Sequence, residues 1–314
     1  MIISTVPLNQ EVRQMVWEQT GEEITVCGTI SEIPAEQLAL VDVIVARNES
    51  FPAELLEKFD NLKLLYIMSA GVDRLPFLEL RARGIRVCNA SGIHGQQMTE
   101  HALGVMIAFS RDISGSIRNQ GKRMWGDYSR LSELAGTTLC IIGAGRIGKD
   151  IAKAASVFGM RVIGLKRFAS PVEGFEQVYD MSRLHEVLKQ ADYVILLTPL
   201  TKETVNLMGE REFAAMKETA VFLNLSRGET VDETALIAAL RGGVIGGAAL
   251  DVFRQEPLPV ASELWDMENV IITPHSAGIT RNYVESSIRH FVKNLLLFRS
   301  GQELLSPVDL VECY

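Results

Sequence analysis

The sequence predicts an α/β protein of two domains, each built on a parallel sheet. Three observations predict it. Short β-branched and aliphatic runs alternate with helical patterns through most of the chain. Those runs are continuously apolar rather than alternating, as strands covered on both faces are. The length, 314 residues, suits about two domains, since single cores stop growing at roughly 250–300 residues.

In the first third, MIIST, VDVIVA (41–46), LKLLYIM (62–68) and IRVCNAS (85–91) read as strands. PAELLEKF (52–59) and LPFLELRARG (75–84) read as helices between them, with apolar residues three and four apart and Gly84 as a stop. One long helical stretch follows, QQMTEHALGVMIAFSRDISGSIRNQ (96–120). A second strand series starts at TLCIIG (138–143) and runs through RVIGL (161–165), YVILLT (193–198), AVFLNLS (220–226), GAALDVF (247–253) and VIITPH (270–275). RNYVESSIRHFVKNLLLFRSG (281–301) reads as a late amphipathic helix ended by Gly301. No low-complexity region or short-period repeat interrupts the pattern.

Composition narrows the function classes. Apolar residues make up 47% and charged residues 22%, so a large core is expected. Thirty-one Lys and Arg stand against 39 Asp and Glu, a net charge of −8, which disfavours a nucleic-acid surface. No apolar stretch approaches the length of a membrane span, and MIISTVPLNQ lacks the basic leader of a signal peptide. Cys27, Cys88, Cys140 and Cys313 are scattered, which suits reduced thiols in a cytoplasmic protein. No residues have metal-ligand spacing.

The most informative local pattern is TTLCIIGAGRIGKDIAKAASVFG. An apolar strand runs into Gly143-x-Gly145-x-x-Gly148 and then into a helix. Gly143 permits a tight turn, Gly145 lets backbone approach a pyrophosphate, and Gly148 allows close helix–strand packing. The helix start then offers N–H groups and partial positive charge to phosphates. Alone such a turn is weak, but the strands on either side make it a dinucleotide site. An Asp or Glu is expected at the end of the next strand, to bind both ribose hydroxyls. Lys166 and Arg167 stand there, and the nearest later acid is Glu173. Two cations suit a 2′-phosphate, so NADP(H) is favoured, with NAD(H) as the alternative.

Three later segments place charged residues past strand ends, where open parallel sheets bind ligands. LNLSRGETVDE carries Arg227, ALDVFRQEPLP carries Asp251 and Glu256, and VIITPHSAG carries His275. Each alone has a plainer explanation: a surface ion pair, a helix cap, an exposed acid, a core histidine. Their ordered occurrence with GAGRIG and YIMSAGVDRL (66–75) resembles the D-isomer-specific 2-hydroxyacid dehydrogenase family, from about residue 40 onward. The resemblance implies Arg227, Glu256 and His275 as catalytic residues. It implies amides around Ala70, Gly71 and Val72 as the site of the substrate carboxylate. Arg146, Ile147, Thr198, Pro199, Leu225 and Asp251 join the glycines as cofactor contacts.

The resemblance also implies two Rossmann- or flavodoxin-like domains, the cofactor domain (100–282) inserted in a substrate domain (1–99 and 283–314). Two helices would form the hinge, with a homodimer formed through the cofactor domains. The expected reaction is reduction of a small 2-keto acid, glyoxylate or hydroxypyruvate, by NAD(P)H. Phosphoglycerate oxidation is a weaker variant, and formate oxidation is disfavoured by Glu256. A dinucleotide-sensing corepressor on the same fold is the rival from another class. Thr99 and Cys140 depart from the family pattern, which usually has small residues there.

Overall fold

Both series of apolar runs become parallel sheets. The computed structural model describes residues 1–29, 32–48 and 56–313. The chain divides into one unit of Met1–His94 with Thr280–Tyr314 and a second of Gly95–Ile279, so the second is inserted in the first.

Among the described residues of the first unit, β1 (Ile2–Ser4), β2 (Ile24–Val26), β3 (Val43–Ala46), β4 (Leu64–Ile67) and β5 (Arg86–Asn89) form one sheet. Its order is β2-β1-β3-β4-β5 with every pairing parallel, the flavodoxin arrangement. β3 and β4 are buried along their whole length, as their unbroken aliphatic runs require. The helix Tyr283–Arg299 lays Ile288, Phe291, Val292 and Leu295 on one face of this sheet. The Tyr66 hydroxyl fixes it there, donating to the Ser287 carbonyl at 2.9 Å. Farther along the helix, Arg299 pairs with Glu22 at 2.7 Å and Asp42 at 2.5 Å.

The second unit holds β6 (Thr138–Ile142), β7 (Arg161–Lys166), β8 (Gln177–Asp180), β9 (Tyr193–Leu196), β10 (Val221–Asn224), β11 (Gly247–Leu250) and β12 (Val270–Ile272). They lie in the order β12-β11-β10-β9-β6-β7-β8, all parallel. Renumbered within the unit this is 3-2-1-4-5-6 plus a seventh strand, the dinucleotide-binding order, which reverses between β6 and β9. Core layers cover both faces of the sheet. Cys140 lies fully buried in one of them. Thr99 is accommodated because its hydroxyl donates to the Gly95 carbonyl one turn back, at 2.7 Å.

Local differences from the sequence reading have physical causes. The long helix at 96–120 is two helices, Gly95–Ser110 and Ile113–Gly121. The break falls at Asp112, whose φ of 47° is left-handed, a conformation Asp tolerates better than most residues. The helix Gln10–Thr20 and the edge strands β2 and β8 lack long apolar runs and were not expected. The first half of the helix expected at 52–59, residues 52–55, lies outside the described residues. Among the described residues no helix is long and apolar enough to cross a membrane.

Candidate active site

The glycine turn follows β6 at the point of strand-order reversal. Gly143 has φ 108°, and a Cβ there would lie 2.8 Å from the Leu197 carbonyl carbon, in the loop after β9. A Cβ on Gly148 would meet the Gly143 carbonyl oxygen at 2.7 Å. Gly145 differs: a Cβ there would meet nothing within 4 Å. It precedes the helix Arg146–Val157, which starts with no side-chain cap. Beside the turn, the buried Thr198 Oγ1 finds no hydrogen-bond partner among the described residues. Open backbone, an uncapped helix start and an orphaned hydroxyl suit a ligand rich in acceptor oxygens, and a dinucleotide pyrophosphate fits that demand.

The remaining expected cofactor residues lie in the turn itself or past neighbouring strands of the same sheet. Arg146 and Pro199 are exposed, Ile147 is half-buried and Leu225 is buried. Lys166 ends β7 and Arg167 follows it, the guanidinium 5.4 Å over the Phe168 ring. Glu173, the nearest later acid, is engaged elsewhere, with Lys149 and Lys153 each at 2.9 Å. Those two ammonium groups, Lys149 first, hold its carboxyl down at about 2.

Arg227 is placed by a turn that its neighbours lock. Asn224, the last residue of β10, accepts from the Ser226 N–H at 3.1 Å and hydroxyl at 3.0 Å. Its amide nitrogen donates to the Arg227 carbonyl at 3.0 Å, and the Thr230 hydroxyl donates there at 2.6 Å. A Cβ on Gly228 would fall 1.9 Å from the Phe253 carbonyl carbon. Only glycine permits this approach, which presses the Arg227 turn onto the segment carrying Glu256.

That segment completes an ordered pair. Glu256 Oε1 accepts from the Phe253 N–H at 3.0 Å, and its Oε2 lies 2.7 Å from His275 Nδ1. His275 has a left-handed φ of 51°, held by its N–H donating to the Asp251 carbonyl at 2.8 Å. Asp251 is only 3% exposed, and its carboxylate organises the same turn. It accepts from the Thr273 hydroxyl at 2.6 Å, the Ser276 N–H at 2.8 Å and the Ala277 N–H at 3.0 Å. Its position was legible, but this clamp on the histidine turn was not. Asn224 was missed as well, although the sequence N-x-S-R is compatible with the Asx turn found.

Electrostatics bias the pair toward a protonated imidazole beside a carboxylate. The hydrogen bond that His275 donates to Glu256 raises the His275 pKa above its ordinary value, outweighing burial and the nearby Arg227 charge. Burial alone would raise Glu256, but the His275 hydrogen bond, the Phe253 N–H and the charges of His275 and Arg227 bring it below its usual value. With Nδ1 directed at Glu256, Nε2 is the ring nitrogen left for any proton exchange. The His275 side chain is 49% exposed.

In the first unit the loop after β4 is tied by its carbonyls. Ala70 O accepts from Asn89 Nδ2 at 2.6 Å and Gly71 O from the Ser69 hydroxyl at 2.7 Å. No acceptor among the described residues takes the N–H of Ala70, Gly71 or Val72. Three of the other histidines have partners of their own. His94 is buried against the Tyr283 hydroxyl at 3.2 Å, and desolvation drives its pKa down to about 4. His185 meets Glu212 at 3.0 Å, and His290 meets Tyr66 at 3.2 Å. Among the described residues no group of three or more His, Cys, Asp or Glu is arranged to hold a metal.

A doubly wound sheet with a glycine turn at its reversal point, and a hydrogen-bonded histidine–glutamate pair past neighbouring strands, defines a dinucleotide-dependent oxidoreductase. Residues 103–277 match the NAD binding domain of the D-isomer specific 2-hydroxyacid dehydrogenases. A glyoxylate reductase of Pyrococcus furiosus is 33% identical over 308 residues, 94% of this chain and 88% of the relative. A glycerate dehydrogenase of Methylorubrum extorquens is 33% identical over 315 residues, 97% of this chain and 96% of the relative. The crystal structure of an NADPH-dependent glyoxylate/hydroxypyruvate reductase from Sinorhizobium meliloti, in complex with NADP and sulfate, superposes with a TM-score of 0.87. It is 27% identical and covers 100% of this chain and 99% of its own. The chain belongs to the D-isomer specific 2-hydroxyacid dehydrogenase family and is an oxidoreductase that uses a nicotinamide dinucleotide.

Proposed function

We propose that this chain reduces a small 2-keto acid, of the glyoxylate or hydroxypyruvate kind, to the D-2-hydroxy acid with NADPH. The observation that carries this reading is the 2.7 Å His275–Glu256 pair, with the charge of Arg227 acting on both. The names of the two relatives, a glyoxylate reductase and a glycerate dehydrogenase, support the substrate class. Lys166 and Arg167 at the end of β7 support NADPH, as does the engagement of Glu173 with Lys149 and Lys153.

A bound dihydronicotinamide supplies the hydride to the keto carbon. The carbonyl oxygen then needs a proton, and protonated His275 donates it from Nε2. Glu256 keeps the imidazolium charged and oriented until that moment. Arg227 polarises the carbonyl and pairs with the substrate carboxylate, work a planar guanidinium can share between two oxygens. The amides of Ala70, Gly71 and Val72 supply further donors for that carboxylate. In the reverse direction neutral His275 takes the hydroxyl proton. Asp251 serves here by holding the His275 turn, and its carboxylate retains acceptor capacity for a nicotinamide amide.

A homodimer accords with apolar side chains that the second unit leaves in solvent. Ile117, Met124, Trp125 and Tyr128 are all exposed, Trp125 at 94%. Four free cysteines suit the reducing cytoplasm. The test is steady-state oxidation of NADPH with a panel of 2-keto acids, followed by chiral analysis of the product. Turnover of small keto acids to D-products is expected. Tight NADPH binding with no turnover on any keto acid would instead indicate a sensor.

A further inference from the structure

Arg167 and Glu203 sit on the two loops that flank the glycine turn. β6 lies between β7 and β9, and the three strands run parallel. The loops that follow them therefore emerge at one end of the sheet, with the glycine turn in the middle. Arg167 is the first residue past β7, and Glu203 lies in the loop after β9. The two side chains meet at 3.8 Å, so the ion pair reaches from one flanking loop to the other across the turn. The side chains are 48% and 73% exposed, and each has a neighbouring feature that places it. The guanidinium lies 5.4 Å over Phe168. Glu203 rides on a short turn locked by Thr204, whose hydroxyl accepts from the Thr201 N–H at 2.8 Å and donates to the Pro199 carbonyl at 2.6 Å.

We infer that Glu203 is a determinant of cofactor choice, a built-in competitor that holds Arg167 across the glycine turn until a 2′-phosphate takes its place. This rests on reading Arg167 as the receiver of that phosphate. A phosphate carries more charge than a carboxylate and accepts from both arms of the guanidinium, so it wins the exchange. The exchange still subtracts from NADPH affinity. A ribose hydroxyl makes no claim on the guanidinium, so NADH binding gains nothing when Glu203 is removed. Glu203 thereby moderates the preference set by the cations at the end of β7 and leaves NADPH easier to release.

Fluorescence titration of the full chain with NADPH and with NADH tests this in wild type, E203Q, R167Q and the double variant. E203Q should tighten NADPH about two- to fivefold, the scale of one exposed ion pair, and leave NADH unchanged. The gain should shrink with added salt and vanish in the R167Q background. A gain of the same size in R167Q would make Glu203 a diffuse negative charge and overturn the inference. Weaker NADH binding in E203Q would overturn it differently, by making Glu203 a ribose ligand. Failure of the underlying reading is separately visible: R167Q alone would then leave the ratio of NADPH to NADH affinity unchanged.

Discussion

The five-stranded and seven-stranded sheets are built from the same material, short parallel strands of aliphatic residues with helices nearby, yet their carboxyl ends are furnished differently. Past β6, β10, β11 and β12 stand a glycine turn, a guanidinium, a carboxylate and an imidazole, each held by named hydrogen bonds or close backbone contacts. Past β4 there is a small-residue loop whose free resource is its N–H groups. In the first unit the buried Tyr66 hydroxyl donates to the Ser287 carbonyl, and the buried His94 meets the half-buried Tyr283, whose hydroxyl donates to the Met68 carbonyl. Burial pushes His94 toward its neutral form, whereas Glu256 pushes His275 toward its charged form. Two histidines with the same intrinsic chemistry are thus shifted in opposite directions. Sheet architecture offers a place for ligands, and only the side chains at that place decide what is done there.

The sharpest way to break this comparison is to remove His275. His275→Ala should lower kcat for keto-acid reduction by about 10²–10⁴-fold, the usual scale for a general acid. Cofactor affinity should change little, because no role in holding the dinucleotide falls to this ring. Rapid-quench or steady-state kinetics with a parallel NADPH titration decides it. A variant that loses NADPH binding but keeps its turnover rate would assign His275 to the cofactor instead.

Much of the seven-stranded unit was legible in the sequence because its signals are local. Gly143, Gly145 and Gly148 announce a turn through their spacing, and the apolar run before them identifies the strand. Arg227, Glu256 and His275 could be placed because each follows its own apolar run. What could not be read depends on contacts between segments far apart in the chain. The carbonyl of Phe253 excludes any side chain at residue 228, yet nothing near Gly228 says so. Asp251 spends its carboxylate on residues 273–277, some twenty-odd positions downstream. The ion pair between Arg167 and Glu203 is invisible until the strand order is known. β2 and β8 were missed for a different reason: edge strands need only one buried face and carry too few apolar residues to stand out.

A smaller effect separates the charge state of His275 from its presence. The raised pKa means that the protonated ring persists above the ordinary histidine value near 6.5. Reduction, which needs the proton, should therefore decline only as pH rises through that raised value, while oxidation gains over the same range. Glu256→Gln removes the main cause of the raising. The reductive limb of kcat/KM against pH should move downward, and the loss of activity should be greater at pH 8 than at pH 6. An unmoved limb would show that another group sets it.

The mildest prediction concerns the first unit, where the loop after β4 acts through backbone rather than charge. Asn89 is buried on β5 and ties that loop by donating to the Ala70 carbonyl at 2.6 Å, while its side-chain oxygen accepts from the Ser91 N–H at 3.1 Å. Asn89→Ala removes both bonds without touching the guanidinium, the imidazole or the glycine turn. If Ala70, Gly71 and Val72 present their amides to the substrate carboxylate, a loosened loop should raise KM for the keto acid about three- to tenfold, the scale of one net hydrogen bond. NADPH affinity and the position of the pH limb should stay where they are in wild type. A loop that served packing alone would lower thermal stability and leave the KM untouched, so measuring both quantities on the same preparation separates a positioning role from a structural one.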